Sequence, residues 1–362
     1  MYRYRDRELS QKIAEKLKAL ALHIRIMHVC GTHQDTIIRH GLDSILKECG
    51  IEIRQGPGCP VCVTTPREIQ EAVTLAQKGN IVATYGDMFR VVGIEKSLSD
   101  AKAEGHGARI VYSAEDAVKL ARSSKRDVVF MAVGFETTAP ATASILLEEP
   151  PKNFSVLSCH RYVPPALKAL IEMGELRIDG LIEPGHVSTI IGLKPYREIA
   201  KKYGMPQVVA GFEPLDILMA VYMLAKRIVK GEAEVDNEYT RAVMPEGNRK
   251  ALAALDEVFE PFDVEWRGFP IVPSSGMKLR KQFEEHDARK VHERELQDLE
   301  IVEAAESKKC RCGDVLRGII ESTDCPLFGN SCTPQTPVGP CMVSFEGSCN
   351  IEYRYRNIHS RP

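Results

Sequence analysis

The sequence has no apolar run long enough to span a bilayer. Its most apolar later stretch, DILMAVYMLAKRIV, is interrupted by Asp216, Lys226 and Arg227, whereas a membrane helix needs about 20 predominantly apolar residues. The first twenty residues, MYRYRDRELSQKIAEKLKAL, are charged throughout and lack the apolar centre of a secretory signal. The expected compartment is therefore the cytoplasm, with no membrane association. There is no basic excess either: the formal charge is −2, with lysines and arginines spread along the chain, which excludes a nucleic-acid footprint. No G-x-x-x-x-G-K-[ST] loop occurs, so no P-loop nucleotide site is expected. A three-cysteine C-x-x-x-C-x-x-C loop is also absent, which argues against a radical enzyme.

Cysteine is abundant. There are eleven, an odd number, and in a reducing compartment they are expected to be thiols, metal ligands or redox groups rather than structural bridges.

The chain is too long, at 362 residues, for one ordinary core. Residues 1–20 form an amphipathic helix with Leu9, Ile13, Leu17 and Leu20 at helical spacing. Short β-branched runs then alternate with helical stretches, at 23–29, 51–54, 80–85, 108–112, 127–133, 154–158, 179–183 and 207–211. Helix starts lie between them, with Ser113 and Asp116 as a capping box and Pro66 in a first turn after Thr65. This alternation predicts an α/β fold of doubly wound parallel sheets. VVFMAVGFETTAP and QVVAGFEPLD share a strand, Gly-Phe-Glu, helix-start pattern, which suggests two related domains. The expected division is an N-terminal helix (1–20), a first α/β domain (21–135), a second (136–231), and a helical, cysteine-rich domain (232–362).

Polar and thiol residues follow these strands: CGTH, GPGCPVC, YGD, GFETT, CHRY, EPGH and GFEP. Ligands of open α/β sheets bind beyond the carboxyl ends of the strands, so the loops are expected to converge. Cys59 and Cys62, in GPGCPVC, have redox-motif spacing. They are expected in a stiff loop that exposes both sulfurs, able to cycle between dithiol and disulfide or to hold a soft metal. In CGTHQDT, Cys30 has His33 nearby, an imidazole able to lower its pKa or supply a proton. If the first two strands are neighbours, Cys30, Cys59 and Cys62 arrive together as soft ligands for iron. Glu136 and His186 either donate protons or orient a small ligand, or else stabilise their loops.

Six cysteines fall between residues 310 and 349, among glycines and prolines that break regular elements. Metal ligation would hold such a segment together. Structural zinc favours paired knuckles, whereas an iron–sulfur cluster accepts thiolates from irregular loops. The spacing favours the cluster, with Cys310, Cys325, Cys332 and Cys349 as the preferred ligands and Cys341 or Cys312 as substitutes.

CGTHQDT, GPGCPVCVTTP, VGFETTAP, EPGHVSTIIG, GFEPLDIL and CPLFGNSCTPQTPVGPCMVSFEGSC occur in this order, and over nearly its whole length the chain resembles the HypD family of hydrogenase maturation factors. The resemblance implies two related α/β domains and a third domain carrying a [4Fe-4S] cluster. It implies a scaffold that, with the small partner HypC, assembles the Fe(CN)2CO unit of [NiFe]-hydrogenases. Cyanide would come from HypE, itself charged by HypF, and the hydrogenase large subunit would be served indirectly. Cys30 would bind the iron jointly with HypC, Cys59 and Cys62 would form the redox dithiol, and the cluster would supply electrons, as in ferredoxin-thioredoxin reductase. Such a protein is a metallocentre assembly scaffold rather than a conventional turnover enzyme. Two rival readings are an iron–sulfur thiol-disulfide oxidoreductase and a binding protein with structural zinc.

Overall fold

The computed structural model describes residues 6–297, 299 and 309–359, the side chains of 357–359 excepted. The first five positions of the expected N-terminal helix, positions 298 and 300–308 of the charged stretch, and the last three residues lie outside the described residues. The N-terminal helix runs Arg7–Ala19, capped by Asp6, and buries Ile13 and Leu17; Leu9 stays exposed.

All eight expected strands form: β1 (Ile24–His28), β2 (Ile51–Gln55), β3 (Ile81–Thr84), β4 (Ala108–Ile110), β5 (Val128–Gly134), β6 (Phe154–His160), β7 (Gly180–Pro184) and β8 (Gln207–Ala210). β9 (Val235–Asn237), β10 (Phe259–Glu265) and β11 (Ile271–Leu279) complete the set. Two parallel sheets result, in the orders β2-β1-β7-β8-β9 and β4-β3-β5-β6. Every residue of β5, β6, β7 and β8 is buried, because helices cover both faces of a parallel sheet and leave no side for polar alternation.

The sheets do not correspond to consecutive segments 21–135 and 136–231. β2 takes one edge of β1, and the other is filled by β7, with Ile26, Met27 and His28 opposite Gly180, Leu181 and Ile182. The first sheet is thus begun by β1 and β2 and finished by β7, β8 and β9, with the second sheet inserted between them. Parallel pairing has to use crossover connections, and hydrophobic pattern alone does not reveal which strand a crossover reaches.

The segment after residue 232 also differs from its helical expectation. Helix Arg249–Val258 ends where Phe259 begins β10, and Pro261 cannot continue a helix. β10 and β11 form an antiparallel hairpin that places Trp266 fully inside, its indole N–H on Ser275 Oγ at 2.8 Å and its ring stacked on Phe135 at 5.7 Å.

The tail from residue 309 consists of single turns around Cys312–Leu316 and Pro340–Val343 and a final helix, Ser348–His359. It is fastened to both sheets. Asp87, after β3, accepts hydrogen bonds from Ser344 Oγ (2.9 Å) and Phe345 N (3.0 Å), while Asp35, beyond β1, accepts from Arg354 and Tyr355 (3.1 Å each).

Candidate functional site

β1 and β2 are parallel neighbours, so the loops that follow them leave the sheet side by side. Cys30 caps helix Gly31–Arg39, and Gly58 lies flat against it: Gly31 N donates to Gly58 O at 3.4 Å, and a Cβ on Gly58 would overlap the Cys30 backbone. Glycine is required there by close approach. Cys59 follows at once and caps the turn Pro60–Val63, which contains Cys62.

Cys59 and Cys62 are joined as a disulfide, with Cα atoms 5.3 Å apart. Two expectations are corrected. The pair opens a helical turn rather than lying in an extended loop, since Pro60 suits a first helical position. Neither sulfur is exposed: both residues are 0% accessible, packed in the hydrophobic cluster that also holds Cys312, Cys341 and Cys349. Thr65 and Glu68 form a full capping box at the next helix, Pro66–Gln77, and Glu68 pairs with the buried Arg161 at 2.6 Å, anchoring the disulfide turn from behind.

The imidazole beside Cys30 is not that of His33. The Cys30 thiol lies 3.9 Å from His186 Nδ1, in the first turn of helix Gly185–Ile191 directly after β7, while His33 turns its Nε2 to the Ala210 carbonyl at 3.3 Å. Phe212 packs between the two histidines, 5.3 Å from each ring. Burial pushes the Cys30 thiol up to about 12, outweighing the backbone N–H groups of His33 and Thr32 that pull it down. Burial likewise moves His33 down to about 3 and His186 down to about 4. At neutral pH burial therefore favours a protonated thiol and neutral imidazoles, so of the two roles CGTH suggested for His33, lowering the thiol's pKa is not the one this geometry favours.

Two buried carboxyls face the same interior. Glu136, after β5, accepts from Val163 N at 3.0 Å through Oε1 and has no partner for Oε2 among the described residues. Glu183, on β7, has neither oxygen partnered there. Burial pushes each up to about 8, so both keep a proton at neutral pH. The buried Tyr196 hydroxyl, 3.2 Å from Ser188 Oγ, is raised by burial and then by the nearby Glu183, Glu136 and Cys30. Glu183, Asp87, Phe212 and Glu346, whose backbone is in contact with Gly31, were not singled out individually in the sequence. The signal was present, because each lies within a quoted motif: EPGH, YGD, GFEP and the SFEGSC tail.

All six tail cysteines line one small cavity of about 10 Å³, together with Val315, Phe328 and Met342. The turn bearing Cys341 packs against the turn bearing Cys62. Cys312 Sγ and Cys341 Sγ face each other at 2.7 Å, Cys332 Sγ accepts from Val338 N at 3.3 Å, and Gly339 lies so close that a Cβ on it would sit 2.9 Å from Cys310 Sγ. Burial raises the Cys310 thiol to about 12 and also raises Cys332. Six thiols gathered around one apolar cavity are a donor set that fits an iron–sulfur cluster. Among the described residues, no three His, Cys, Asp or Glu side chains converge on a single metal ion.

A buried thiol, an adjacent disulfide turn and a cysteine-lined cavity are thus gathered beyond the carboxyl ends of parallel strands in an α/β protein. Residues 5–356 match the family described as HypD, hydrogenase formation hypA family. A Methanocaldococcus jannaschii protein whose name places it among hydrogenase expression/formation proteins is 49% identical over 365 residues, covering 99% of this chain and all of that one (100%). The hydrogenase maturation factors HypD of Cupriavidus necator (44% over 376 residues; 99% and 97% of the two chains) and Azotobacter vinelandii (42% over 367; 97% and 95%) are similar throughout. The chain belongs to this family of hydrogenase maturation factors. No helix among the described residues is long and apolar enough to cross a membrane.

Proposed function

We propose that this protein is the assembly scaffold for the Fe(CN)2CO unit of [NiFe]-hydrogenases, working with a HypC-type small partner and receiving cyanide from a HypE-type donor. The observation that carries this reading is the meeting of Cys30, the Cys59–Cys62 pair and the tail cysteines in one place. Cys30 is a thiol that burial keeps protonated until a cation arrives; iron, as substrate, displaces that proton and takes a soft ligand. Reducing the Cys59–Cys62 disulfide consumes two electrons and two protons and yields two further thiols beside the Cys30 loop. His186, 3.9 Å from the Cys30 thiol, would accept its proton, and Glu136 and Glu183 would hold protons in the same interior.

Cys310, Cys325, Cys332 and Cys349 are the preferred ligands of a [4Fe-4S] cluster, with Cys341 or Cys312, which face one another, as substitutes. Bound there, the cluster would supply one-electron redox chemistry next to the buried disulfide. Replacing Cys325 or Cys332 by alanine is expected to remove most acid-labile sulfide and lower thermal stability, while Cys312→Ala retains the sulfide. Sulfide lost from Cys312→Ala but kept in Cys325→Ala would reverse the assignment.

The deciding experiment is an infrared spectrum, in the cyanide and carbonyl stretching region, of protein purified anaerobically after co-expression with the small partner and the cyanide-supplying proteins. Bands that vanish in Cys30→Ala establish the scaffold. Their absence from a sample containing iron and sulfide favours a thiol-disulfide oxidoreductase, a reading weakened by the complete burial of both disulfide sulfurs.

A further inference from the structure

Away from this site, β2 is an edge of the first sheet. Which of its backbone groups point outward follows from two hydrogen bonds. Ile24 N donates to Gly50 O (3.2 Å) and Gly56 N donates to His28 O (2.8 Å). In a parallel pair, alternate residues turn both N–H and C=O to the same side, so positions 50, 52, 54 and 56 bond β1. The N–H and C=O groups of Ile51, Ile53 and Gln55 therefore face away from the sheet. None has a partner among the described residues.

This edge borders a cleft of about 430 Å³ between β2, helix Gly31–Arg39 and the tail, within the size range of ligand sites; Ile51 is 1% exposed, and Gly318 of the tail lies beside the Gln55 carbonyl, so a strand added there displaces the tail from that end. The Gln55 side chain, only 8% exposed, also lines the cleft, and neither amide atom has a partner among the described residues. Ile37, Ile38, Val315 and Ile320 supply apolar walls. Arg54 is paired with Glu52 and Glu321, whereas Lys47, at the Ile51 end, makes no ion pair among the described residues.

We propose that this cleft binds an extended peptide segment of a protein partner by strand addition to β2. Three outward residues at a two-residue repeat, each offering one donor and one acceptor, match the main chain of a strand; a compact ligand would satisfy one of them. The apolar walls take alternate side chains of the peptide, and Lys47 takes a carboxylate at the end beside Ile51. Gln34, which lines the cleft, bridges His28 (2.9 Å) and Glu352 (3.2 Å) and lies on the helix that Cys30 caps. A segment docked there would tether its protein one helix away from the thiol, raising the effective concentration of whatever that protein delivers. The proposal does not depend on which metal unit is assembled.

The test uses random dodecapeptides displayed on phage and selected against the full chain purified anaerobically, with the enriched sequence then synthesised. The expected result is slowed amide hydrogen exchange at Ile51, Ile53 and Gln55 when peptide binds. Binding should weaken about tenfold on N-methylation of alternate peptide amides, the scale of one lost main-chain hydrogen bond. Ile53→Pro should weaken it similarly, because proline is tolerated on an edge where its N–H would face outward, while Ile53→Val should not. N-methylation leaves the protein untouched, so it decides the matter if Ile53→Pro fails to fold. Protection elsewhere, binding indifferent to N-methylation, no enriched peptide, or concentration-dependent protection without peptide (a second copy on the edge) would each overturn the proposal.

Discussion

A Cys30→Ala variant is expected to leave a hydrogenase unmatured in cells that depend on it, while the purified variant melts close to the parent. The two halves of this expectation have separate physical grounds. The thiol is a small buried group at a helix start, and its backbone neighbours, Gly31 and Gly58, stay in contact without it; truncation costs about 1 kcal/mol, the centre of the range for single substitutions. Its chemistry has no substitute: His186 lies 3.9 Å away, but a neutral imidazole does not replace a soft thiolate on low-valent iron. Cys49→Ala is the matched control. Cys49 is also buried, with its thiol 3.5 Å from the Ala14 carbonyl, in a different core cluster from the one that holds Cys59 and Cys62, and its loss is expected to leave maturation intact. Hydrogenase activity of complemented cells, read beside the melting temperature, checks both. Activity within a few-fold of the parent in Cys30→Ala would remove this thiol from the mechanism.

Much of this was legible in the sequence because parallel strands are buried on both faces and so stand out as β-branched runs: all eight were readable, as were their loops. The order of strands in the sheets was not. Nothing in GLIEP says that it pairs with IRIMH, because pairing in a buried sheet is decided by which crossover packs, not by pattern. β10 is masked in the sequence because FEPF continues a helical pattern that only Pro261 breaks. Burial overrides the local electrostatics of the motif as well. CGTH suggested a histidine that activates the cysteine, but residues 30 and 33 share a helix start, and burial turns the His33 ring to a carbonyl on β8 instead. The partner came from EPGH, more than 150 residues away. Burial of GPGCPVC was unreadable too, since glycine and proline look like exposed turn residues until another loop and the tail pack upon them.

The second large effect concerns Glu183. Its carboxyl is fully buried with both oxygens unpartnered among the described residues, and burial raises it from 4.5 to about 8. Between those values the native state keeps a proton that the unfolded chain has released. Native protein therefore binds more protons than unfolded, and stability falls as pH rises from about 4.5 to about 8, then levels off. Glu136 acts with the same sign. Glutamine at position 183 keeps the shape of the protonated acid and cannot ionise, so Glu183→Gln should gain about 2–5 kcal/mol over the parent at pH 8 and less than about 1 kcal/mol at pH 5. Urea unfolding midpoints of the two proteins at both pH values measure this. Parallel pH dependences would mean that the carboxyl is solvated or partnered in the native protein. A sheet residue that destabilises the fold at neutral pH is the kind retained at functional sites, so the stabilised variant is also expected to mature hydrogenase more slowly. Full maturation by a more stable Glu183→Gln protein would leave the stability argument standing and remove Glu183 from the site's chemistry.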